Sequence, residues 1–301
     1  MTTLRRTLVA VLLFAAPALA AGVKPFPDPS AAVDALVAAA RSGEVQAVVK
    51  VLGDKSKSFL VSGDPVADRA ALRRFVELYD RSHTLSEPDA TTRALAIGQD
   101  DWPFPIPIIK GASGWTFDSK AGEEEILARR VGQNELDAIQ VCVGYVGAQR
   151  DYLQRNPEGG SVPHYADRLL SSSGKRDGLY WKSAPGEPES PLGPAVSGAV
   201  SQGYTLKRGK QAPYRGYHFR ILTVQGPNAE GGALDYREGG ELTRGFALVA
   251  WPASYGKSGV MTFLVNQAGV VLEKDLGPKT DRIAGAIKAY DPDASWKPAQ
   301  P

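Results

Sequence analysis

The sequence predicts an α+β protein in two parts, and three observations support this. Helical apolar spacing dominates residues 28–79 and gives way to strand-like segments between 93 and 117. A longer amphipathic segment follows at 134–155. From Gly216 onward, short apolar segments alternate with turn residues, a pattern typical of antiparallel strands. We therefore expect N-terminal helices with a small sheet, and then a long amphipathic helix packed on an antiparallel β-meander.

The first twenty residues have the pattern of an export signal peptide. Arg5 and Arg6 form a charged start, Leu8–Ala16 is apolar, and Ala18–Ala20 is a small-x-small cleavage site. A membrane-spanning helix needs about 20 apolar residues, so this segment is short for an uncleaved anchor, which is the alternative. We expect a mature chain that begins at Ala21 or one residue later, has no transmembrane span, and is periplasmic or secreted.

The mature chain is predicted to carry no net charge and therefore no strong overall electrostatic field. Removal of Arg5 and Arg6 with the signal leaves 33 of the 35 basic residues against 33 acidic residues, so the formal net charge falls from +2 to zero. A globally basic surface that would recruit nucleic acid is therefore absent. No nucleic-acid partner is expected.

Residues 21–118 are predicted to form an N-terminal α+β domain. Asp28 can cap a first helix that carries Pro29 in its first turn and stops at Ser42-Gly43. Further helices are expected at 44–52 and 68–79, and strands at 93–97, 106–110 and 115–117. This order of helices and strands resembles the nuclear-transport-factor-like cone fold, which hosts enzymes and binding modules alike.

A separate connecting helix is predicted over 119–133. Its three consecutive acids, Glu123–Glu125, lie near the positive end of the helix dipole, and Arg129 and Arg130 lie near the negative end. Neighbouring helix residues point about 100° apart, so the three carboxylates cannot converge on one ion. No metal site is expected here.

The helix at 134–155 is the element around which the second domain, 134–290, is expected to fold. Asn134 is predicted to cap its start. An apolar stripe is predicted to pack on the strands, and it comprises Ile139, Cys142, Val143, Val146 and Leu153. Cys142 is the only cysteine, so a disulfide within the chain is impossible and a buried structural thiol is expected. On this interpretation Val143 is buried and Gln149 lies off the stripe.

The rest of the chain is predicted as loops, strands and a last helix. Short helices are expected at 165–170 and 195–202 within the proline-rich segment 156–212. Strands are expected at 217–222, 245–251, 260–265 and 270–273, with residues 266–269 as a hairpin loop. A helix at 280–290 and a C-terminal tail at 291–301 complete the prediction.

The sequence holds no motif for a known reaction. The patterns G-x-S-x-G, H-E-x-x-H and C-x-x-C are absent, and Gly256-Lys257-Ser258 lacks the glycine that a phosphate loop needs at position 251. Three histidines lie far apart in the sequence: His83, His164 and His218. We predict no cofactor and no metal, and catalytic residues stay unknown.

Aromatic residues in loops are the candidate binding residues: Trp102, Tyr180, Trp181, Tyr214 and Tyr255. Exposed tyrosine and tryptophan suit contacts with proteins or sugars, although packing against a sheet is the alternative. We therefore predict a binding or assembly component of the cell envelope, whose partner is another envelope protein or a polysaccharide. The alternative function is an envelope hydrolase for a sugar or peptide polymer, with Asp101 or Glu189 as a loop carboxylate.

Several long motifs resemble one protein family. They are GLYW at 178–181, GEPESPLGP at 186–194, the segments at 216–236 and 245–277, DDWPFPIPIIK at 100–110 and RRVGQNELDAIQVC at 129–142. With these, the chain resembles the bacterial exported proteins called domain of unknown function 2950. The resemblance implies an envelope location and a common structure, and no activity.

The second half also resembles the globular part of type IV pilins and pseudopilins. The likeness lies in an amphipathic helix, a loop and a meander that ends in GVMTFLVNQAGVV at 259–271. In pilins the apolar start runs directly into this helix, whereas here a whole domain separates the two. This departure counts against filament assembly.

Overall fold

The computed structural model describes residues 25–205 and 212–300. The predicted signal peptide, 1–20, lies outside these residues. The described chain is a mixed α+β protein with a long helix followed by a β-meander, as predicted. Its helices are α1 (Pro29–Arg41), α2 (Val45–Leu52), α3 (Lys57–Leu60), α4 (Pro65–Arg81), α5 (Ser119–Arg155), α6 (Gly193–Ser201) and α7 (Thr280–Ala286).

The N-terminal half packs its helices against a small antiparallel sheet. The strands are β1 (His83–Asp89), β2 (Thr92–Ile97), β3 (Trp102–Pro103), β4 (Ile108–Gly111) and β5 (Gly114–Phe117). They pair in the order β1-β2-β4-β5, and β3 also pairs with β2. The predicted helix cap is confirmed, since Asp28 accepts a hydrogen bond from the Ala31 N–H at 2.8 Å. Buried residues of α1, α2, β2, β4 and β5 share one hydrophobic core.

Strand β1 was not predicted, because almost nothing in it is buried. Its sequence HTLSEPD is mostly polar, and only Leu85 is even half-buried. The strand is held at the edge of the sheet by pairing with β2 instead. A polar edge strand lacks the alternation of apolar and polar residues from which a strand is predicted.

Helix α5 is one continuous helix, so the prediction of a connecting helix and a new start at Asn134 was wrong. The cap is Asp118, whose side chain accepts from the Ala121 N–H at 3.2 Å. Asn134 lies in mid-helix, is buried, and donates from Nδ2 to the Ser258 carbonyl at 2.8 Å. A capping residue type does not by itself break a helix when the flanking residues favour helix and tertiary contacts satisfy its side chain.

The buried face of α5 is rotated from the predicted stripe. Ile139, Cys142 and Val146 are buried as predicted, but Val143 is 50% exposed and Gln149 is 0% exposed. The buried face also contains small residues and residues with a polar group at the end of the side chain, which the predicted apolar stripe did not include: Ala138, Tyr145, Ala148, Gln149 and Tyr152. At about 100° per residue, including them moves the centre of the face toward Gln149 and leaves Val143 at its edge.

Cys142 lies fully buried in the core between α5 and the second sheet, which confirms the predicted position of the thiol. Burial raises the pKa of this thiol to about 12. The thiolate, which is the reactive form, is therefore scarcely populated at neutral pH.

The second half is built on a five-stranded antiparallel sheet. The second half as a whole contains the strands β6 (Tyr217–Leu222), β7 (Val224–Gln225), β8 (Leu234–Asp235), β9 (Arg237–Glu238), β10 (Glu241–Leu242), β11 (Ala247–Pro252), β12 (Met261–Asn266), β13 (Leu272–Asp275) and β14 (Lys297–Pro298). The large sheet has the order β14-β13-β12-β11-β6, whereas β7 pairs with β8 and β9 with β10. One face of the sheet packs on α5, and the other packs on residues between 222 and 296.

Three local predictions in this half were wrong. Residues 165–170 form no helix, because Tyr165 bridges Leu242 and Leu170 bridges Tyr180. The last helix ends at Ala286, and Tyr290 bridges Gln225 instead of continuing it. Residues 291–300 are not a free tail, since β14 pairs with β13.

The two halves meet at Asp64, a buried residue that caps α4. Its Oδ1 accepts from the N–H groups of Val66 and Ala67, both at 3.1 Å. Its Oδ2 accepts from the Tyr204 hydroxyl at 2.9 Å and from the Gly216 N–H at 3.0 Å. Burial raises the pKa of Tyr204, so its hydroxyl stays protonated and can donate this bond. One carboxylate thus joins a helix of the first half to the start of the second sheet.

Within the described ranges, no helix combines the length and apolar character needed to cross a bilayer.

Candidate functional site

Cavities of about 510, 440 and 410 Å³ open at three separate places on the described part of the chain. The largest of these three, called here the N-terminal cavity, lies between α1, α2, α4, β2 and the N-terminal part of α5. Its size falls within the range of about 300–1,000 Å³ usual for small-molecule sites.

The walls of the N-terminal cavity are apolar, because α4 and the sheet turn their hydrophobic faces toward it. Residues at three- and four-residue spacing on α4 line one side: Ala71, Leu72, Phe75 and Leu78. Strand β2 and the segment after it line the other: Ile97, Phe104, Pro105 and Ile106. A ligand held here would bury a hydrocarbon body.

Positive charge is concentrated in the same cavity. Four arginines line it, Arg74, Arg81, Arg129 and Arg130, against a single carboxylate, Asp100. Among the described residues, no carboxylate oxygen lies within 4.0 Å of the guanidinium of Arg74, Arg81 or Arg130. The excess charge is therefore available to a bound anion.

Arg130 is the least satisfied of these arginines. Its Nη1 is buried and has no hydrogen-bond partner in the described chain. Burial lowers the pKa of Arg130, and the nearby charge of Asp68 opposes that shift. Asp68 is buried as well, and burial raises the pKa of its carboxyl group. Nη1 of this half-buried arginine is thus desolvated without a direct ion pair to the guanidinium.

Trp102 is the predicted binding residue that lies at this cavity. It lines the opening and is 41% exposed. The guanidinium of Arg129 lies 4.1 Å from the centre of its ring, and Arg129 is fixed in turn by a salt bridge to Glu125. The stacked pair forms a flat edge to the cavity, and Glu125 balances the charge of its arginine.

The other four predicted residues lie elsewhere. Tyr180 and Trp181 line the shallow 440 Å³ cavity formed by residues 170–182, and Trp181 also packs on the core of the second half. Tyr214 lines the 410 Å³ cavity beside α5. Tyr255 donates a hydrogen bond to Asp275 at 3.2 Å and lines none of the three cavities. The structure does not bring the five aromatic residues together.

Sequence reasoning missed the arginines of the N-terminal cavity. It interpreted Arg129 and Arg130 only as charges that complement the dipole of a helix ending near 133. Because α5 continues to Arg155, that explanation does not hold. The pair of adjacent arginines and the proline-rich segment 102–107 were visible in the sequence, but their proximity was not.

The carboxylates named for a hydrolase lie outside these cavities. Asp101 occupies a turn with a left-handed backbone (φ 49°), and Glu189 is an exposed loop residue. Neither lines any of the three cavities described above.

A cluster of titratable groups forms around His164, one of the three histidines that lie far apart in the sequence. Its ring nitrogens lie 3.5 Å from carboxylate oxygens of Glu158 and Glu241. The Tyr152 hydroxyl, 2.8 Å from Glu158, extends the cluster. His164 lines none of the three cavities described above. In the described ranges, no three His, Cys, Asp or Glu side chains are placed to hold a metal ion.

Comparison with known proteins identifies the family and nothing more specific. The model of a family described as "Protein of unknown function (DUF2950)" matches residues 23–299. No curated protein and no solved structure gives a significant match, so the resemblances to the cone fold and to pilins stay predictions. Because the family match covers nearly the whole chain, this protein belongs to the DUF2950 family of proteins of unknown function.

Proposed function

We propose that this protein is an exported binding protein of the bacterial cell envelope, and that it holds a small amphipathic anion in the N-terminal cavity. The ligand class is a hydrocarbon body that carries one carboxylate, sulfonate or phosphate group. The observation that carries the proposal is Arg130, which lines an apolar cavity and whose buried Nη1 has no hydrogen-bond partner in the described chain.

The energetics favour an anion over a neutral ligand. An unsatisfied buried donor costs about 1–3 kcal/mol, and a charge-assisted hydrogen bond contributes about 1.5–3 kcal/mol. Arginine also matches the two oxygens of a carboxylate with two parallel N–H donors. Burial of the hydrocarbon body adds roughly 25 cal/mol per Å² of apolar surface. Head group and body therefore bind through different parts of the same cavity.

The proposed binding is tested by titrating the mature protein with three ten-carbon amphiphiles in a calorimeter. Decanoate is expected to bind at least tenfold more tightly than decyltrimethylammonium, with decan-1-ol between them, because tenfold corresponds to about 1.4 kcal/mol. Arg130→Met is expected to weaken decanoate about tenfold. Comparable affinities for decanoate and the cation would overturn the proposal.

Two adjacent arginines of α4 supply a matched control that does not depend on folding. Both are exposed, but Arg74 lines the cavity and Arg73 does not. Arg74→Met should weaken decanoate, and Arg73→Met should leave it unchanged. Equal effects of the two substitutions would show that the anion binds at the surface of the helix.

Export rests on the signal pattern of residues 1–20 and is tested separately. After expression of the full chain in a bacterium, we expect the envelope fraction to contain a protein that begins at Ala21 or Gly22. Intact-mass spectrometry measures this directly. An exported protein that still carries Met1 or Thr2 would contradict the signal peptide.

A further inference from the structure

A second cavity, called here the C-terminal cavity, has a different chemistry. It measures about 410 Å³ and lies between α5, α6 and residues flanking β6. Buried residues of the second core form part of its lining: Tyr145, Ala199, Phe219 and Leu248. It therefore reaches into the core of the second half.

The space exists because the facing helices carry small residues. Helix α5 contributes Gly144, and a Cβ atom added there would meet no other atom within 4 Å. Helix α6 contributes Ala195 and Ala199 to the opposite side. The two helices therefore leave room between them at these positions.

The charged and buried polar groups of the lining are already paired. Arg215 donates from Nη1 to Asp137 at 2.8 Å, so the one cation and the one anion among the described lining residues neutralise each other. The Tyr204 hydroxyl donates to Asp64, and the Tyr145 hydroxyl donates to the Ala247 carbonyl at 3.3 Å. These groups leave little unfilled capacity for a charged ligand.

The Arg215–Asp137 pair depends on an uncommon backbone conformation. Arg215 has φ 50°, a left-handed value that non-glycine residues rarely adopt. Its N–H donates to the Tyr204 hydroxyl at 3.1 Å, which helps to hold this conformation. The local structure thus keeps the arginine on its acidic partner.

We infer that the C-terminal cavity binds an uncharged hydrocarbon group, either a linear chain or a fused ring. Its apolar walls offer water few hydrogen bonds, so replacing water by hydrocarbon is favourable. Gly144 is the residue whose missing side chain leaves room for the ligand. This site is separate from the N-terminal cavity and does not depend on the proposed anion binding.

The test uses two glycines of α5 that differ only in what they face. Gly144 and Gly147 are both exposed, and a Cβ atom at either position would be unobstructed, but only Gly144 lines the cavity. Leucine at either position should support the helix, because glycine is a poor helix former. The probe is the neutral fluorophore N-phenyl-1-naphthylamine, with dodecan-1-ol and 1-naphthalenemethanol as competitors for a chain and a ring.

Gly144→Leu is expected to raise the dissociation constant of the probe at least tenfold, and Gly147→Leu to leave it unchanged. Val196→Trp, which fills the cavity from α6, should reproduce the loss. Decanoate should displace the probe no better than dodecan-1-ol. Equal probe affinities for the two leucine variants, or loss of the probe on Arg74→Met, would overturn the inference.

Discussion

Replacement of Gln149 by leucine is expected to destabilise the protein by about 3 kcal/mol, although leucine is the more hydrophobic residue. The Gln149 side chain accepts from the Ala166 N–H at 2.9 Å and donates to the Ala166 carbonyl at 2.7 Å. It also donates to the Tyr145 hydroxyl at 2.9 Å. Leucine would leave the backbone groups of Ala166 buried without partners, at about 1–3 kcal/mol each.

The matched comparison is Val143→Asp, which introduces a charge on the same helix. Because Val143 is 50% exposed, this change should cost less than about 1 kcal/mol. Urea denaturation of the two variants and the wild type gives the free energies of unfolding. A larger loss for Val143→Asp than for Gln149→Leu would mean that α5 buries a different face.

Replacement of Asp64 by alanine is expected to cost about 3–4 kcal/mol, more than loss of an ordinary helix cap. The substitution removes the cap of α4 and also leaves the Gly216 N–H and the Tyr204 hydroxyl without their acceptor. Both halves of the molecule should therefore be affected together.

Asp28 provides the control, because it is likewise a cap followed by proline. Its exposed side chain accepts a hydrogen bond only from the Ala31 N–H. Asp28→Ala should therefore lower the free energy of unfolding by about 1 kcal/mol. The difference between the two variants in urea melts measures the contribution of the bonds to Tyr204 and Gly216. Tyr204→Phe in the Asp64→Ala background should then add little. Equal losses for Asp28→Ala and Asp64→Ala would show that the junction adds no stability.

The sequence predicted elements where apolar spacing and burial coincide. The cap of α1, the strands β2, β4 and β5, and the burial of Cys142, Ile139 and Val146 followed from local patterns. Gln149 and Asn134 did not, because each is a polar side chain satisfied by a backbone group distant in sequence. Hydrogen-bond partners of this kind are set by tertiary structure, which a periodicity cannot reveal.

The candidate site was predictable only in its aromatic part. Trp102 stood out by residue type, whereas Arg130 depends on three facts that need the fold. These are the continuity of α5, the burial of Nη1 and the absence of a carboxylate partner within 4.0 Å among the described residues. Gly144 can likewise be recognised as a cavity residue only when the fold shows that α6 lines the same cavity.

Because α5 is continuous, the two halves of the chain share one helix and depend on each other for its packing. The helix has 37 residues, about 55 Å at 1.5 Å per residue. Its first turns contribute Ile126 and Leu127 to the first core, and its later turns contribute Ala138 to Tyr152 to the second. A gene fragment that encoded either half alone would therefore carry part of a helix whose apolar face had lost its partner. Separating the two halves within α5 would therefore expose apolar surface on both pieces.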